Sequence, residues 1–110
     1  RGGLNNVNTH EAWDPKTETW ETLEPLPTAR GGIAAAALAG RCHVFGGESD
    51  EGTFDENEAW SPEEGWTTWP AMPTARHGLA AVTVDQQIFV LAGGPEPGFF
   101  YSDKNEVFSH

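Results

Sequence analysis

The chain has 110 residues, 37% of them hydrophobic, with 17 acidic against six basic side chains and a formal charge of −11. That length suits one small domain, and no apolar run approaches the ~18 residues of a membrane span. The scarcity of Lys and Arg excludes a phosphate-tracking groove for nucleic acid. A surface this acidic is also repelled by anionic lipid, and it keeps a β-rich protein in solution. Thirteen Gly and eight Pro punctuate a sequence that also carries five Trp and six Phe, a composition suited to many short strands and turns. Cys42 is the only cysteine, which rules out an internal disulfide. The opening Arg1-Gly2-Gly3 is neither an initiator Met nor a signal peptide, and predicts a chain that begins mid-protein.

In chain order, the first segments with strand character are Glu11-Ala12-Trp13 and the stretch around Trp20. Gly32 to Leu38 is small and apolar, breaks at Ala39-Gly40-Arg41 and resumes as Cys42-His43-Val44-Phe45, which predicts a hairpin stopped by Gly46-Gly47. An acidic loop, Glu48 to Glu56, leads to a strand around Asn57 to Trp60. Ser61-Pro62-Glu63-Glu64-Gly65 then turns the chain into another, Trp66 to Trp69. Leu79 to Val84, a turn at Asp85-Gln86-Gln87, and Ile88 to Leu91 form a second hairpin. The alanines from Ile33 to Ala39 favour a helix on propensity. The β-branched counterpart Leu79-Ala80-Ala81-Val82-Thr83-Val84 decides for strand.

That counterpart exists because the sequence repeats itself. Leu26-Pro27-Thr28-Ala29-Arg30 returns 46 residues later as Met72-Pro73-Thr74-Ala75-Arg76. The same shift carries Trp20 onto Trp66, Gly32 onto Gly78, Ala34-Ala35 onto Ala80-Ala81, Val44 onto Val90 and Gly47 onto Gly93. A second series runs Glu11-Ala12-Trp13, Glu58-Ala59-Trp60 and Glu106-Val107-Phe108, with shifts of 47 and 48. The drift falls between Gly47 and Glu58 and between Gly94 and Glu106, where loop length is free to vary.

A strand ending in Gly-Gly, a variable loop, Glu-x-aromatic, Asp-Pro or Ser-Pro, a Trp and Pro-Thr-Ala-Arg resemble the kelch repeat, in the form found in bacterial-type kelch-like proteins. In that family the third-strand aromatic is usually Tyr, with six residues between it and the Trp. Here Trp13 stands in that place with Trp20 at the expected spacing, while Trp60 and Trp66 are one residue closer. The resemblance covers essentially the whole chain. It implies an all-β fold, a kelch-type β-propeller fragment of about 2.4 repeats in four-stranded antiparallel blades. Residues 1–29 would end one blade with its third and fourth strands, 30–75 would be a complete blade, and 76–110 the first three strands of another.

Within such blades the residue types have physical reasons. Glycine pairs allow backbone conformations or close approach forbidden to other residues. The tryptophans bury about 150–250 Å² each, mostly against a neighbouring blade. Pro25, Pro27 and Pro73 fix φ in the crossings between blades, where no ladder donor is needed. Arg30 and Arg76 need partners if buried, and Glu11, Glu58 or Glu106 are the expected carboxylates.

Propellers close with about four to eight blades, so fewer than three expose inter-blade aromatics and strand edges. The expected partners are therefore the remaining blades of a longer chain, or other copies, although nine strands do not tile blades of four. Alternatively the chain end is natural and the missing outer strand comes from an N-terminal segment.

Function is read from loops, because the fold hosts many activities. The leading expectation is a non-enzymatic scaffold that binds a protein or small ligand. Candidate contact residues are Glu48, Asp50 and Phe54 in the acidic loop, Phe99, Phe100 and Tyr101 in the next, and Arg30, Arg76 and His77 at the crossings. The alternative is part of a propeller enzyme resembling galactose oxidase or a sialic-acid epimerase, with its active site elsewhere. A copper–radical site of the first kind needs a Cys–Tyr crosslink with further Tyr and His ligands. This chain offers Cys42 inside a strand, one Tyr at Tyr101, and His10, His43, His77 and His110 without ligand spacing. His43 alternates with core positions and is expected to pack in its strand. The carboxylates Glu48, Asp50, Glu51, Asp55 and Glu56 lack calcium-loop spacing and are expected to be solvated. No cofactor is expected.

Overall fold

The computed structural model describes residues 6–96 and 103–109, and every regular element among them is a strand. β1 (Glu11–Asp14) and β2 (Thr19–Thr22) form an antiparallel hairpin with Trp13 opposite Trp20. β3 (Ala34–Leu38) and β4 (Arg41–Phe45) follow, joined by Ala39 and Gly40, both at positive φ (52° and 77°). A two-residue loop of this kind matches the twist of the flanking strands, so the turn helps to make the alanine run a strand.

After β4 the chain forms a miniature hairpin, β5 (Glu48–Ser49) with β6 (Gly52–Thr53), inside the segment expected to be plain loop. β7 (Asn57–Ser61) and β8 (Gly65–Trp69) then complete a four-stranded antiparallel sheet in the order β3-β4-β7-β8. β9 (Ala80–Val84), β10 (Gln87–Leu91) and β11 (Asn105–Ser109) make a three-stranded antiparallel sheet in the order β9-β10-β11.

Register fixes which side chains share a face. Ala34 lies opposite Phe45 and Ala36 opposite His43, so these four point toward the third sheet. There they meet Ile88, Val90, Ala81 and Phe108, with Leu38, Met72 and Leu79 completing one apolar core between the two sheets. Phe108 is its aromatic centre, 5.0 Å from His43, 6.0 Å from Trp69 edge-on and 6.5 Å from Phe45. His43 is fully buried, as a packed strand residue, and its Nδ1 lies 2.9 Å from Asn57 Oδ1.

The first hairpin and the second sheet meet through a smaller aromatic contact. His10 packs on Trp60 (5.0 Å) and Trp66 (5.3 Å), and Trp66 Nε1 donates to Glu24 O at 2.8 Å. Trp60 and Trp66 thus pack against the neighbouring unit as expected. Trp13 and Trp20 meet each other at 5.5 Å but remain exposed on the first hairpin.

The glycine pair after β4 sits where the backbones of the two units meet. Gly46 (φ 68°) and Gly47 (φ 115°) are both left-handed. A Cβ on Gly46 would collide with Arg76 O, and one on Gly47 would lie 2.7 Å from Gly31 O. Gly47 N donates to Arg76 O (2.8 Å), so this close approach is itself a hydrogen bond between units.

Candidate functional site: the loop bases and the surface they carry

The two Pro-Thr-Ala-Arg segments build the same device twice. Arg30 enters ahead of β3 with its side chain fully buried. Its Nη2 donates to Glu58 Oε1 at 2.7 Å, and Nη1 donates to Gly46 O (2.7 Å) and Glu56 O (3.3 Å). Thr28 Oγ1 donates to the other carboxylate oxygen of Glu58 at 3.0 Å. Arg76 repeats this with Glu106 Oε1 (2.7 Å), Ala92 O (2.8 Å) and Lys104 O (3.2 Å), while Thr74 donates to Glu106 Oε2 (2.8 Å).

Each guanidinium therefore gathers the last residue before a loop, the first after it, and a glutamate on the strand that follows. Gly46 N to Glu56 O (3.0 Å) and Ala92 N to Lys104 O (2.8 Å) close the same two loop bases. Carboxylate and carbonyl oxygens on the terminal nitrogens offset much of the desolvation cost of each buried cation, while Nε of Arg30 and of Arg76 has no hydrogen-bond partner. The expected pairing of Arg30 and Arg76 with third-strand glutamates is what the structure contains, for Glu58 and Glu106. Glu11 is exposed on β1. The role of Thr28 and Thr74 was carried by the same repeated motif and is plain only once Arg and Thr are seen on one carboxylate.

Above these bases the loops differ. Residues 47–55 contain the β5–β6 hairpin, and residues 93–103 follow the third sheet's second strand. The two loops touch: Thr53 Oγ1 donates to Pro95 O at 2.9 Å. His77, beside the second clasp, lies between them, with Nδ1 3.2 Å from Glu48 Oε2 and Nε2 donating to Glu96 O at 2.8 Å. Gly31 exchanges backbone bonds with Glu48 (2.8 and 3.2 Å), and Asn6 Nδ2 donates to Glu48 O at 2.7 Å.

Glu48 therefore departs from the solvated state expected of the acidic loop. It is buried together with His77, because its backbone is locked to Gly31 and its carboxylate turns inward to the imidazole. Asp50 and Glu51 stand exposed at the β5–β6 turn, and Phe54 is half-buried, its N–H bound to Gly47 O. Phe99, Phe100 and Tyr101 lie outside the described residues, as does His110.

Elsewhere, Arg41 pairs with Glu64 (2.5 Å) and stacks over Trp69 at 5.0 Å, a contact the repeat pattern did not signal. Cys42 is exposed on β4, and partial burial by the sheet pushes its thiol pKa up. No group of three or more His, Cys, Asp or Glu positioned for a metal occurs among the described residues.

All-β architecture, antiparallel sheets packed face to face through core aromatics, and a Thr–Arg–Glu clasp in each of the two larger sheets define a blade-forming repeat chain. Comparison with known proteins finds similarity to kelch-like proteins. Kelch-like protein 35 of mouse is 35% identical over 63 residues, covering 56% of this chain and 11% of the relative. Kelch-like protein 33 of human is 35% identical over 51 residues, covering 46% of this chain and 10% of the relative. Human Kelch-like protein 35 is 38% identical over 50 residues, or 9% of its length. These partial matches support a kelch-repeat family, and the all-β antiparallel sheets are of the kelch β-propeller kind. It matches about a tenth of the length of these relatives, and no protein-family model matches it.

Proposed function

We propose that the chain is a non-enzymatic binding scaffold, one stretch of a larger closed propeller, which presents its inter-strand loops to a protein or small-ligand partner. In this reading residues 1–29, 30–75 and 76–110 are successive blade units, and further blades cover the sheet faces left open at either side. The observation that carries the reading is the clasp: identical chemistry at Arg30–Glu58 and Arg76–Glu106 holds the bases of two loops with unlike sequences. Loops anchored this way change without disturbing the sheets beneath, as a recognition surface on a rigid support requires. Contact between the two loops at Thr53 and Pro95 joins them into one surface, in which Asp50 and Glu51 are exposed and Phe54 is half-buried.

The test is site-specific photocrosslinking in extracts. Crosslinkers at Asp50 and Glu51 are expected to give the same discrete adduct, while crosslinkers at Thr19 and Glu21 on the first hairpin do not. Equal, diffuse labelling from all four positions would refute the loop surface as the binding face.

A further inference from the structure

One backbone bridge lies beneath each loop, and the two bridges carry different side chains. Gly31 exchanges backbone bonds with Glu48, and 46 residues on His77 exchanges them with Gly94 (3.0 and 2.8 Å). Each bridge contains one glycine, in opposite places. The first therefore has a carboxylate on its loop side, and the second an imidazole on its crossing side. Gly78 N donates to Gly32 O at 2.6 Å, which sets the two crossings side by side. The acid of one unit thus meets the imidazole of the next.

His77 and Glu48 are both buried. Both ring nitrogens face acceptors: Nδ1 lies 3.2 Å from Glu48 Oε2, and Nε2 lies 2.8 Å from Glu96 O. A neutral imidazole has one N–H, and a carbonyl oxygen only accepts. Two hydrogen bonds therefore need one proton more than a neutral ring and a carboxylate hold between them. That proton makes the ring an imidazolium, or sits on the carboxyl, which then donates to Nδ1. Glu48 is the titratable side chain in contact with the ring among the described residues. The guanidinium of neighbouring Arg76 turns to Glu106, and the other segments against the pair present Asn6, Gly31, Gly32 and Gly94.

We propose that Glu48 and His77 form a proton-operated latch between the two loops. With the extra proton bound, the ring ties Glu48 in residues 47–55 to Glu96 in residues 93–103. When that proton leaves, the remaining N–H stays on Nδ1, because a bond to a carboxylate is stronger than one to a carbonyl. The Nε2 lone pair then faces the Glu96 carbonyl oxygen, the contact turns repulsive, and the segment at Glu96 parts from the ring. The closed latch holds one proton more than the open one, so it is favoured at acid pH and lost as pH rises. Its bearing on recognition rests on the loop-surface reading above, in which the latch makes that surface respond to pH.

The test follows the proton and the loop without any binding partner, so it can fail while the loop surface stands, and the reverse. The full chain, with isotopically labelled histidine, is titrated by NMR from about pH 5 to pH 8, where imidazoles change charge. Nε2 of His77 is expected to carry a proton at the acid end and to lose it at the other, leaving Nδ1 protonated. Over the same range the Gly94 amide, bonded to His77 O, should lose about tenfold in protection from exchange. Glu48→Gln supplies the missing donor covalently. Its amide donates to Nδ1, the neutral ring keeps its proton on Nε2, and Gly94 protection should stay within about twofold throughout. His77→Ala should leave Gly94 at the unlatched level at every pH. A wild-type ring that keeps its proton on Nε2 at the alkaline end overturns the proposal. So does Gly94 protection that is level with pH in the wild type, or a pH-dependent loss that persists in His77→Ala or Glu48→Gln. Should Glu48→Gln fold poorly, the wild type against His77→Ala decides.

Discussion

The second sheet and the third are built from matching sequence, yet their matching residues live in different surroundings. Leu38 is 4% exposed, whereas Val84, 46 residues on, is 52% exposed. Ala59 is fully buried and its counterpart Val107 is 47% exposed. The contrast also runs the other way: Ile88 is fully buried, but its counterpart Cys42 in the second sheet is exposed. Each sheet buries only the face that has a neighbour. The third sheet's face toward the second is covered and its far face is not. On the side of the first hairpin the second sheet's inner strands are exposed at Ala35, Ala37 and Cys42, and only Val44 on that face is buried. In a stacked repeat, burial belongs to the interface between units rather than to the strand.

The largest expected effect tests whether the two clasps differ as their surroundings do. Glu58→Ala leaves the fully buried Arg30 without its carboxylate and should cost about 3–5 kcal/mol, as for other buried pairs that lose one partner. Glu106 is less enclosed, with its side chain 17% exposed, so Glu106→Ala should cost clearly less. Urea unfolding with matched m-values measures both. Equal losses would mean that β8, which pairs with β7 beside Glu58, does not strengthen that clasp.

Next in size is backbone approach between the units. Gly47→Ala combines a left-handed φ of 115° with a Cβ 2.7 Å from Gly31 O and should destabilise by about 3 kcal/mol. Gly40→Ala, at φ 77° with nothing within 4 Å of the new methyl, should cost about 1 kcal/mol from conformation alone. Thermal melts of the two variants separate inter-unit collision from local strain. Similar losses would remove the Gly31–Gly47 contact from the list of what joins the sheets.

Much of this was legible in the sequence because a repeat supplies its own control. The alanine run at β3 reads as helix alone and as strand beside Ala80–Val84, and it is a strand. Arg30 and Arg76 were traceable to glutamates because both recur at nearly fixed spacing, and a buried charge demands a partner. What is not repeated was not legible. Glu48 corresponds to Gly94 and His77 to Gly31, so no second copy hinted that a loop carboxylate would turn inward to an imidazole. The β5–β6 hairpin is two residues per strand, too short for any periodicity to announce it.

A smaller effect separates the tryptophans. Trp66→Ala removes the contact with His10 and the bond to Glu24 O, and should cost about 2–3 kcal/mol. Trp20, its equivalent, is 67% exposed, so Trp20→Ala should stay within about 0.5 kcal/mol. Denaturant titration of each variant decides the matter. A large loss at Trp20 would show that the first hairpin already has a partner in solution.

The smallest effect is chemical and probes the open face of the second sheet directly. Cys42 is exposed on that face, so iodoacetamide should modify it in the folded chain. Desolvation raises its pKa, so the rate should climb about tenfold per pH unit and level off only above the ordinary thiol range of about 8.5. The linkage has a definite sign: the folded state holds the proton more tightly than the unfolded chain. The contribution is intact below the unfolded thiol pKa and diminishes as pH rises through the raised value. Ile88→Cys places a thiol at the equivalent point of the covered face, where Ile88 is fully buried, and should react only as the sheets separate. Added blades that pack on the second sheet should convert Cys42 to the behaviour of that buried thiol. Alkylation of Cys42 that stays fast in such an assembly would mean its face is left open by design, and that the two sheets differ in more than their neighbours.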